Sequence, residues 1–199
     1  MRVKICGLTS AEQAAQAARC GADFVGLVAA ESRRRVTLEQ AREVARVRGD
    51  FPVRAVGVFC GQPRELILEW IGRVPLDLVQ LHPEDGADWP VPVVCTHRLR
   101  GPLAGPPEDG AAFRLFETFV EGRGGGPGRT FPLEWLGNPR ALGKFFLAGG
   151  LNEANVGERV RAVRPFGVDV SSGVESAPGV KDPDKVRRFI EEVRRAELG

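Results

Sequence analysis

The sequence contains no tyrosine, one methionine, two histidines and four cysteines that are widely separated. Disulfide scaffolds and structural zinc sites need clustered Cys or His residues, and no Cys-x-x-Cys pair occurs. No stretch approaches the roughly 18 consecutive apolar residues of a membrane span, and the opening MRVKICGLTS is unlike a signal peptide. We therefore predict a cytoplasmic protein with no metal site and no membrane partner.

An excess of charge of one sign is also lacking, since 28 Lys and Arg face 26 Asp and Glu, a formal net charge of +2. Proteins that bind nucleic acid need a concentrated basic face, so we do not expect nucleic acid as a partner. Hydrophobic residues make up 43% of the chain, which argues against disorder. The 199 residues suit a single domain spanning 1–199.

Short apolar runs rich in β-branched residues recur along the chain and predict strands at residues 3–6, 24–27, 53–58, 78–81, 91–95, 113–116, 145–147 and 167–170. Strands that alternate with helices pair in parallel through right-handed crossovers. Eight units of about 25 residues each favour a compact (β/α)8 barrel. A doubly wound open sheet is the structural alternative, although no GxGxxG fingerprint follows the first strand.

Helical patterns occupy most of the intervening segments, at residues 11–19, 38–47, 64–72, 156–163 and about 182–198. Thr9 or Ser10 can cap the first helix, Thr37 and Gln40 form a capping box, and Pro63 suits a first helical position. The segment RGPLAGPPEDG after the fifth strand has too much Pro and Gly for a helix. We expect helix 5 to be reduced to a loop.

Glycine-rich segments follow the last three strands, at residues 122–128, 147–152 and 169–176. Glycine lets the backbone approach an anion, and consecutive N–H groups then supply hydrogen-bond donors. Barrels often bind phosphate in the loops after strands seven and eight. The pattern therefore predicts a phosphorylated ligand.

Ionisable side chains at other strand ends are candidates for chemistry. Cys6 ends the first strand and could act as a base if Lys4 or a helix dipole lowers the thiol pKa; inert packing is the alternative. Glu117 ends the sixth strand and is either a general acid or an exposed carboxylate. Arginines in the segment 32–36 suit a substrate carboxylate but could be solvated. His82 and His97, also at this rim, are interpreted as structural.

Six motifs in register make the sequence similar to the phosphoribosylanthranilate isomerase family of tryptophan biosynthesis over essentially its whole length. They are KICGLT at 4–9, SRRRV at 32–36, GVF at 57–59, VQLH at 79–82, LAGGL at 147–151 and VDVSSGVE at 168–175. The shortened fifth helix also fits this family.

The resemblance implies an aldose–ketose isomerase that needs neither cofactor nor metal and performs an Amadori rearrangement on a phosphosugar, the third step from chorismate. Cys6 matches the family's general base and Glu117 the position of its general acid. Arg34 best matches the anthranilate-binding arginine, and Asp169 a substrate-contacting aspartate. The phosphate cradle corresponds to Gly149, Gly150, Ser172 and Gly173.

Two residues depart from the family pattern. Glu117 replaces the usual aspartate, and Pro127 replaces the Ser or Thr before Gly128. We expect Glu117 still to act as the acid with altered reach. The alternatives are a barrel that binds a phosphosugar without catalysis, or another phosphosugar enzyme such as indole-glycerol-phosphate synthase with Lys4 as its catalytic lysine. The oligomeric state is open between monomer and homodimer.

Overall fold

A computed structural model describes residues 1–119 and 130–198, and its central feature is a closed barrel of eight parallel strands in chain order. The strands are β1 (Arg2–Cys6), β2 (Phe24–Val28), β3 (Arg54–Val58), β4 (Leu78–Leu81), β5 (Val93–Leu99), β6 (Phe113–Thr118), β7 (Phe145–Leu147) and β8 (Gly167–Val170). Pairing of β1 with β8 closes the barrel. The predicted (β/α)8 barrel is confirmed, and the open sheet is excluded.

Helices pack around the barrel as α1 (Ala11–Arg19), α2 (Leu38–Ala45), α3 (Arg64–Arg73), α4 (Val156–Val163) and α5 (Pro183–Leu198). Ser10 accepts a hydrogen bond from the Gln13 N–H and caps α1. Thr37 and Gln40 form the predicted capping box, which fixes the start of α2. Within the described ranges, no helix combines the length and apolarity that a membrane crossing requires.

Connections around β5 and β6 depart from the regular pattern. The segment after β4 contains only a short 3₁₀ helix (Pro83–Asp85), and the segment after β5 contains no helix, as predicted. Two 3₁₀ helices, Leu133–Leu136 and Pro139–Leu142, precede β7. The glycine segment 122–128, including Pro127, lies outside the described residues.

The prediction for strand five was wrong at both ends, because β5 runs from Val93 to Leu99 instead of 91–95. The second half of β5 contains the polar residues Thr96, His97 and Arg98, so it does not appear as an apolar run in the sequence. His97 was expected at the barrel mouth. It lies within the strand, where its ring stacks on Phe116 and its Nε2 lies 2.7 Å from Asp109 Oδ2.

Asp109 anchors the loop that takes the place of helix 5. Besides His97, it accepts hydrogen bonds from the Ala111 N–H at 3.1 Å and from Arg114, whose Nε and Nη2 lie 3.1 and 3.0 Å from its two oxygens. Cys95 Sγ, a His97 nitrogen and an Asp109 oxygen also lie within 4.8 Å of one another. Because the Arg114 guanidinium already occupies both carboxylate oxygens, we interpret the cluster as a structural network.

Replacement of Asp109 by alanine should lower the free energy of unfolding at pH 7 by about 2 kcal/mol, because it leaves partly buried donors without an acceptor. Burial opposes the Asp109 charge, but hydrogen bonds from His97, Ala111 and Arg114 outweigh it and lower the carboxyl pKa. Because the Asp109 pKa is lower in the folded than in the unfolded state, the carboxylate stabilises the fold at pH values above the unfolded-state pKa of about 3.9. This stabilisation is lost as the pH falls through the folded-state pKa.

Urea unfolding of wild type and Asp109→Ala at pH 7 and in acid measures this effect, with Glu108→Ala, an exposed neighbour, as the control. We expect the stability difference to shrink in acid and the control to behave as wild type. Equal stability of wild type and Asp109→Ala at pH 7 would contradict the anchoring role.

Inside the barrel, side chains change from aromatic at one end to polar at the other. Phe24, Phe113, Phe146 and Phe166 form an aromatic plug at the amino-terminal end, with ring centroids 5.2–6.0 Å apart. Aliphatic residues of β3 to β6 fill the next layer. Ionisable and polar side chains are thereby collected at the carboxyl ends of the strands.

Candidate active site

A cavity of about 130 Å³ opens at the carboxyl-terminal end of the barrel. Its lining brings together five of the predicted site residues, Cys6, Arg34, Glu117, Asp169 and Ser172. These residues come from β1, the loop after β2, β6, β8 and the loop after β8. The barrel thus joins residues that lie far apart in the sequence.

Lys4 forms a buried ion pair beside Cys6. The register of β1 and β8 sets Lys4 opposite Asp169, and Lys4 Nζ lies 2.8 Å from Asp169 Oδ1. Burial acts to lower the pKa of the fully buried Lys4, but the negative charge of Asp169, helped by Cys6, outweighs it and raises that pKa. Lys4 is therefore a fixed cation at the base of the site.

The Cys6 thiol lies deeper than the sequence suggested. Burial is the largest influence and raises its pKa, exceeding the lowering effects of the nearby Lys4 and Lys181 cations. The expected help from Lys4 is present, but the net direction is upward. Gly26 on β2 makes room for the group, since a Cβ there would lie 2.9 Å from Cys6 Sγ and 3.2 Å from Lys4 Nζ.

The structure distinguishes among the three consecutive arginines. Arg33 and Arg35 are exposed, whereas Arg34 lines the cavity. Arg34 donates from Nε and Nη2 to the two carboxylate oxygens of Glu175, at 2.6 and 2.7 Å. Two of its five N–H groups are used in this way, so the fork is held in place. The other three donate to none of the described residues and are suited to a ligand.

Lys181 supports this arrangement and was missed by the sequence interpretation. It lies in the short β10 (Val180–Lys181), which pairs with β9 (Glu175–Ala177). Its nearly buried ammonium donates to Glu175 at 2.8 Å and to the Ser171 carbonyl at 3.0 Å. The only sequence signal was its type, because lysine occurs at just 4, 144, 181 and 185 in an arginine-rich chain.

Backbone N–H groups gather at the rim beside β7 and β8. Those of Gly149, Gly150, Ser172 and Gly173 donate no hydrogen bond to any described residue. Gly149 and Gly150 have φ angles of +82° and +65°, which favour glycine. The two loops touch at Gly173, where a Cβ would lie 1.9 Å from the Leu151 carbonyl oxygen. Two adjacent loops thus offer donors suited to an anion.

Replacement of Gly173 by alanine should raise the KM of a phosphorylated substrate at least about tenfold, because the clash with the Leu151 carbonyl would separate the two loops and weaken charged hydrogen bonds. Steady-state kinetics measures the change. Gly49→Ala is the matched control, since a Cβ at Gly49 would meet nothing within 4 Å. An unchanged KM in folded Gly173→Ala would exclude these loops as the phosphate site.

Glu117 is held by a residue that the sequence interpretation did not select. Arg98, opposite Glu117 in the register of β5 and β6, donates from Nε to Glu117 Oε1 at 2.9 Å. Its Nη2 lies 3.7 Å from Cys60 Sγ. Burial acts to lower the pKa of Arg98, but Glu117 outweighs it and raises that pKa. Arg98 was missed because strand five was predicted to end before it.

Neutral polar groups complete the cavity. Burial, together with the Arg98 charge, lowers the pKa of His82 and favours the neutral imidazole. Gln80 Oε1 and Thr96 Oγ1 are buried without a hydrogen-bond partner in the part of the chain that the structure describes, and both residues line the cavity. Buried polar atoms need partners, so these two atoms are suited to ligand hydroxyl or amine groups.

The fold and its polar mouth define a (β/α)8 barrel protein whose chemistry is concentrated at the carboxyl-terminal rim. The family model described as N-(5'phosphoribosyl)anthranilate (PRA) isomerase matches residues 3–192. The chain belongs to this family.

Individual relatives agree. The chain is 42% identical over 209 residues to the N-(5'-phosphoribosyl)anthranilate isomerase of Pseudomonas aeruginosa strain LESB58, covering 98% of this chain and 95% of that protein. It is similar to the phosphoribosyl anthranilate isomerase structure from Thermus thermophilus, with a TM-score of 0.86, 37% identity and 98% and 99% of the two chains covered. Another isomerase structure holds reduced 1-(o-carboxyphenylamino)-1-deoxyribulose 5-phosphate, with a TM-score of 0.76, 32% identity and 98% and 99% coverage.

Proposed function

We propose that this chain catalyses the isomerisation of N-(5'-phosphoribosyl)anthranilate to 1-(2-carboxyphenylamino)-1-deoxyribulose 5-phosphate in tryptophan biosynthesis. The observation that carries the proposal is that Cys6 and Glu117, a thiol and a carboxyl group, line one cavity within a barrel of this family. The reaction is an Amadori rearrangement, which needs acid and base catalysis.

The substrate has two anionic ends, and the site offers a partner for each. The phosphate would accept hydrogen bonds from Gly149, Gly150, Ser172 and Gly173 at the rim. The anthranilate carboxylate would bind the free N–H groups of Arg34, whose orientation Glu175 fixes. Between these ends, the ribose would lie over the cavity that contains Cys6 and Glu117.

The first step opens the ribose ring. Glu117 would donate a proton to the furanose ring oxygen, the bond between that oxygen and C1' would break, and the anthranilate nitrogen would form a Schiff base with C1'. The proton ends on the new hydroxyl group, and Glu117 is left as a carboxylate beside Arg98, whose Nε lies 2.9 Å away. A guanidinium partner stabilises that carboxylate.

The second step moves a proton from C2'. Before ring opening, one proton would pass within the cavity from the Cys6 thiol to the Glu117 carboxylate, which leaves Cys6 as the thiolate and Glu117 as the acid. The Schiff base makes the C2' proton acidic, and the Cys6 thiolate would remove it to give an enolamine, which tautomerises to the ketose. Cys6 is then again a thiol and Glu117 again a carboxylate, so the cycle closes. Burial keeps the Cys6 pKa raised, so the neighbouring Lys4 and Lys181 cations are needed to stabilise the thiolate when it forms. Asp169 would contact a ribose hydroxyl through the oxygen that Lys4 does not occupy.

Lys4 argues against the synthase alternative. A catalytic lysine must reach the substrate, whereas Lys4 is fully buried and paired with Asp169. We further propose that the chain is one domain over 1–199, acts in the cytoplasm as a monomer or homodimer, and uses neither metal nor cofactor.

Incubation of the purified chain with N-(5'-phosphoribosyl)anthranilate tests the function directly. We expect enzyme-dependent loss of the substrate and formation of the ketose product, identified by mass spectrometry and chemical reduction. A folded protein that produces no ketose above the enzyme-free reaction would instead support the phosphosugar-binding barrel without catalysis.

A further inference from the structure

We propose that Arg98 is a positioning residue that fixes the carboxyl group of Glu117 for proton donation. This inference rests on the proposed function, because it assigns Arg98 an effect on the reaction that passes through the proposed acid. It concerns a pair that the barrel brings together from two neighbouring strands.

The first argument is the freedom of a glutamate side chain. The Glu117 carboxyl group lies beyond three rotatable bonds, so it can occupy many positions. Misplacement of a catalytic group by about 1 Å can lower a rate on the order of a hundredfold. A glutamate acid therefore needs a partner that selects one position.

Arg98 has the geometry of such a partner. It lies directly opposite Glu117 in the strand register, and its Nε donates to Oε1 at 2.9 Å. The side chains of Arg98 and Glu117 are 26% and 19% exposed, so the pair is screened less than a surface ion pair. The contact draws the carboxyl group toward β5, to one side of the cavity.

Among the described residues, Arg98 is the cation that contacts this carboxyl group. His82, after β4, is favoured as the neutral imidazole, and Cys60, after β3, contacts the other end of the guanidinium. The Lys4 ammonium at the base of the site is already paired with Asp169. Arg98 is thus placed to orient Glu117 and to pair with the carboxylate that proton donation leaves.

A double-mutant cycle tests this inference. Arg98→Met removes the charge and donors while keeping an unbranched chain, Arg98→Lys keeps the charge without the guanidinium fork, and Glu117→Gln removes the acid. Single-turnover rates with enzyme in excess are measured for wild type, each variant and Arg98→Met/Glu117→Gln. Circular dichroism and thermal melts verify that each protein is folded.

We expect Arg98→Met to lower the single-turnover rate at least about tenfold, whereas KM, measured separately in the steady state, should change by less than about threefold. The rate of Arg98→Lys should fall between those of Arg98→Met and wild type. In the Glu117→Gln background, Arg98→Met should change the rate by less than about twofold, because the group that Arg98 positions is already lost. A large effect of Arg98→Met in the wild-type background and a small one in the Glu117→Gln background would distinguish positioning of Glu117 from general support of the fold.

Equal losses in both backgrounds, or a wild-type rate in Arg98→Met, would overturn the inference. If Arg98→Met does not fold, Arg98→Lys is compared in the two backgrounds under the same criterion. Wild-type turnover is measured first. Its absence would refute the proposed function and this inference with it, whereas an active wild type with uncoupled Arg98 and Glu117 would refute the inference alone.

Discussion

Replacement of Cys6 by alanine should lower kcat for the isomerisation by at least about a hundredfold, the range that loss of a general base produces. Alanine cannot accept the C2' proton, and Cys60, the other thiol of the described cavity lining, contacts Arg98 instead. Because the proposed phosphate and carboxylate contacts do not involve Cys6, KM should change little. Steady-state kinetics with the purified variant measures both constants.

Cys20→Ala is the matched control, since Cys20 is a half-buried free thiol just beyond α1 and distant in the fold from the mouth. We expect it to retain wild-type kinetics. Near-normal turnover by Cys6→Ala would remove Cys6 from the mechanism and leave packing as its role.

Replacement of Glu117 by glutamine should also lower kcat by at least about a hundredfold, because the amide keeps the shape of the side chain but has no acidic proton to give. Glutamine can still accept a hydrogen bond from Arg98, so the fold should be preserved. Ring opening would become the slow step. The same kinetic assay measures the loss, and a melting curve verifies the fold.

Glu65→Gln provides the control for this change, since Glu65 is an exposed carboxylate on α3. It should leave the kinetics unchanged. If Glu117→Gln turned over substrate at the wild-type rate, the acid would have to be another group of the mouth.

Most of the architecture could be predicted from the order of apolar runs. The strands of a barrel are covered on both faces, so their residues are apolar in succession. Segments such as Phe145–Leu147 are therefore recognisable from the sequence as strands. Strand five is the exception. Its second half carries His97, which bonds to the loop anchor Asp109, and Arg98, which bonds to Glu117 in the cavity, so polar residues interrupt the apolar pattern.

Five residues that line the cavity were selected singly from the sequence, but their partners could not be predicted. Arg34 and Glu175 are separated by 141 positions, and Lys4 and Asp169 by 165, so only the closed register brings each pair together. The raised Cys6 pKa was also beyond the sequence, because it depends on how far burial exceeds the influence of nearby cations. The spacing of residues along the chain shows neither which distant residues pair nor how deeply a side chain is buried.

The aromatic plug at the amino-terminal end has an evolutionary consequence. It packs Phe24, Phe113, Phe146 and Phe166 at the end of the barrel opposite the rim loops, so the stability of the interior does not depend on the identity of those loops. A substitution at the mouth, at position 117 for example, can then alter the chemistry without unfolding the scaffold. The residues that keep the barrel folded are thus separate from those that line its mouth.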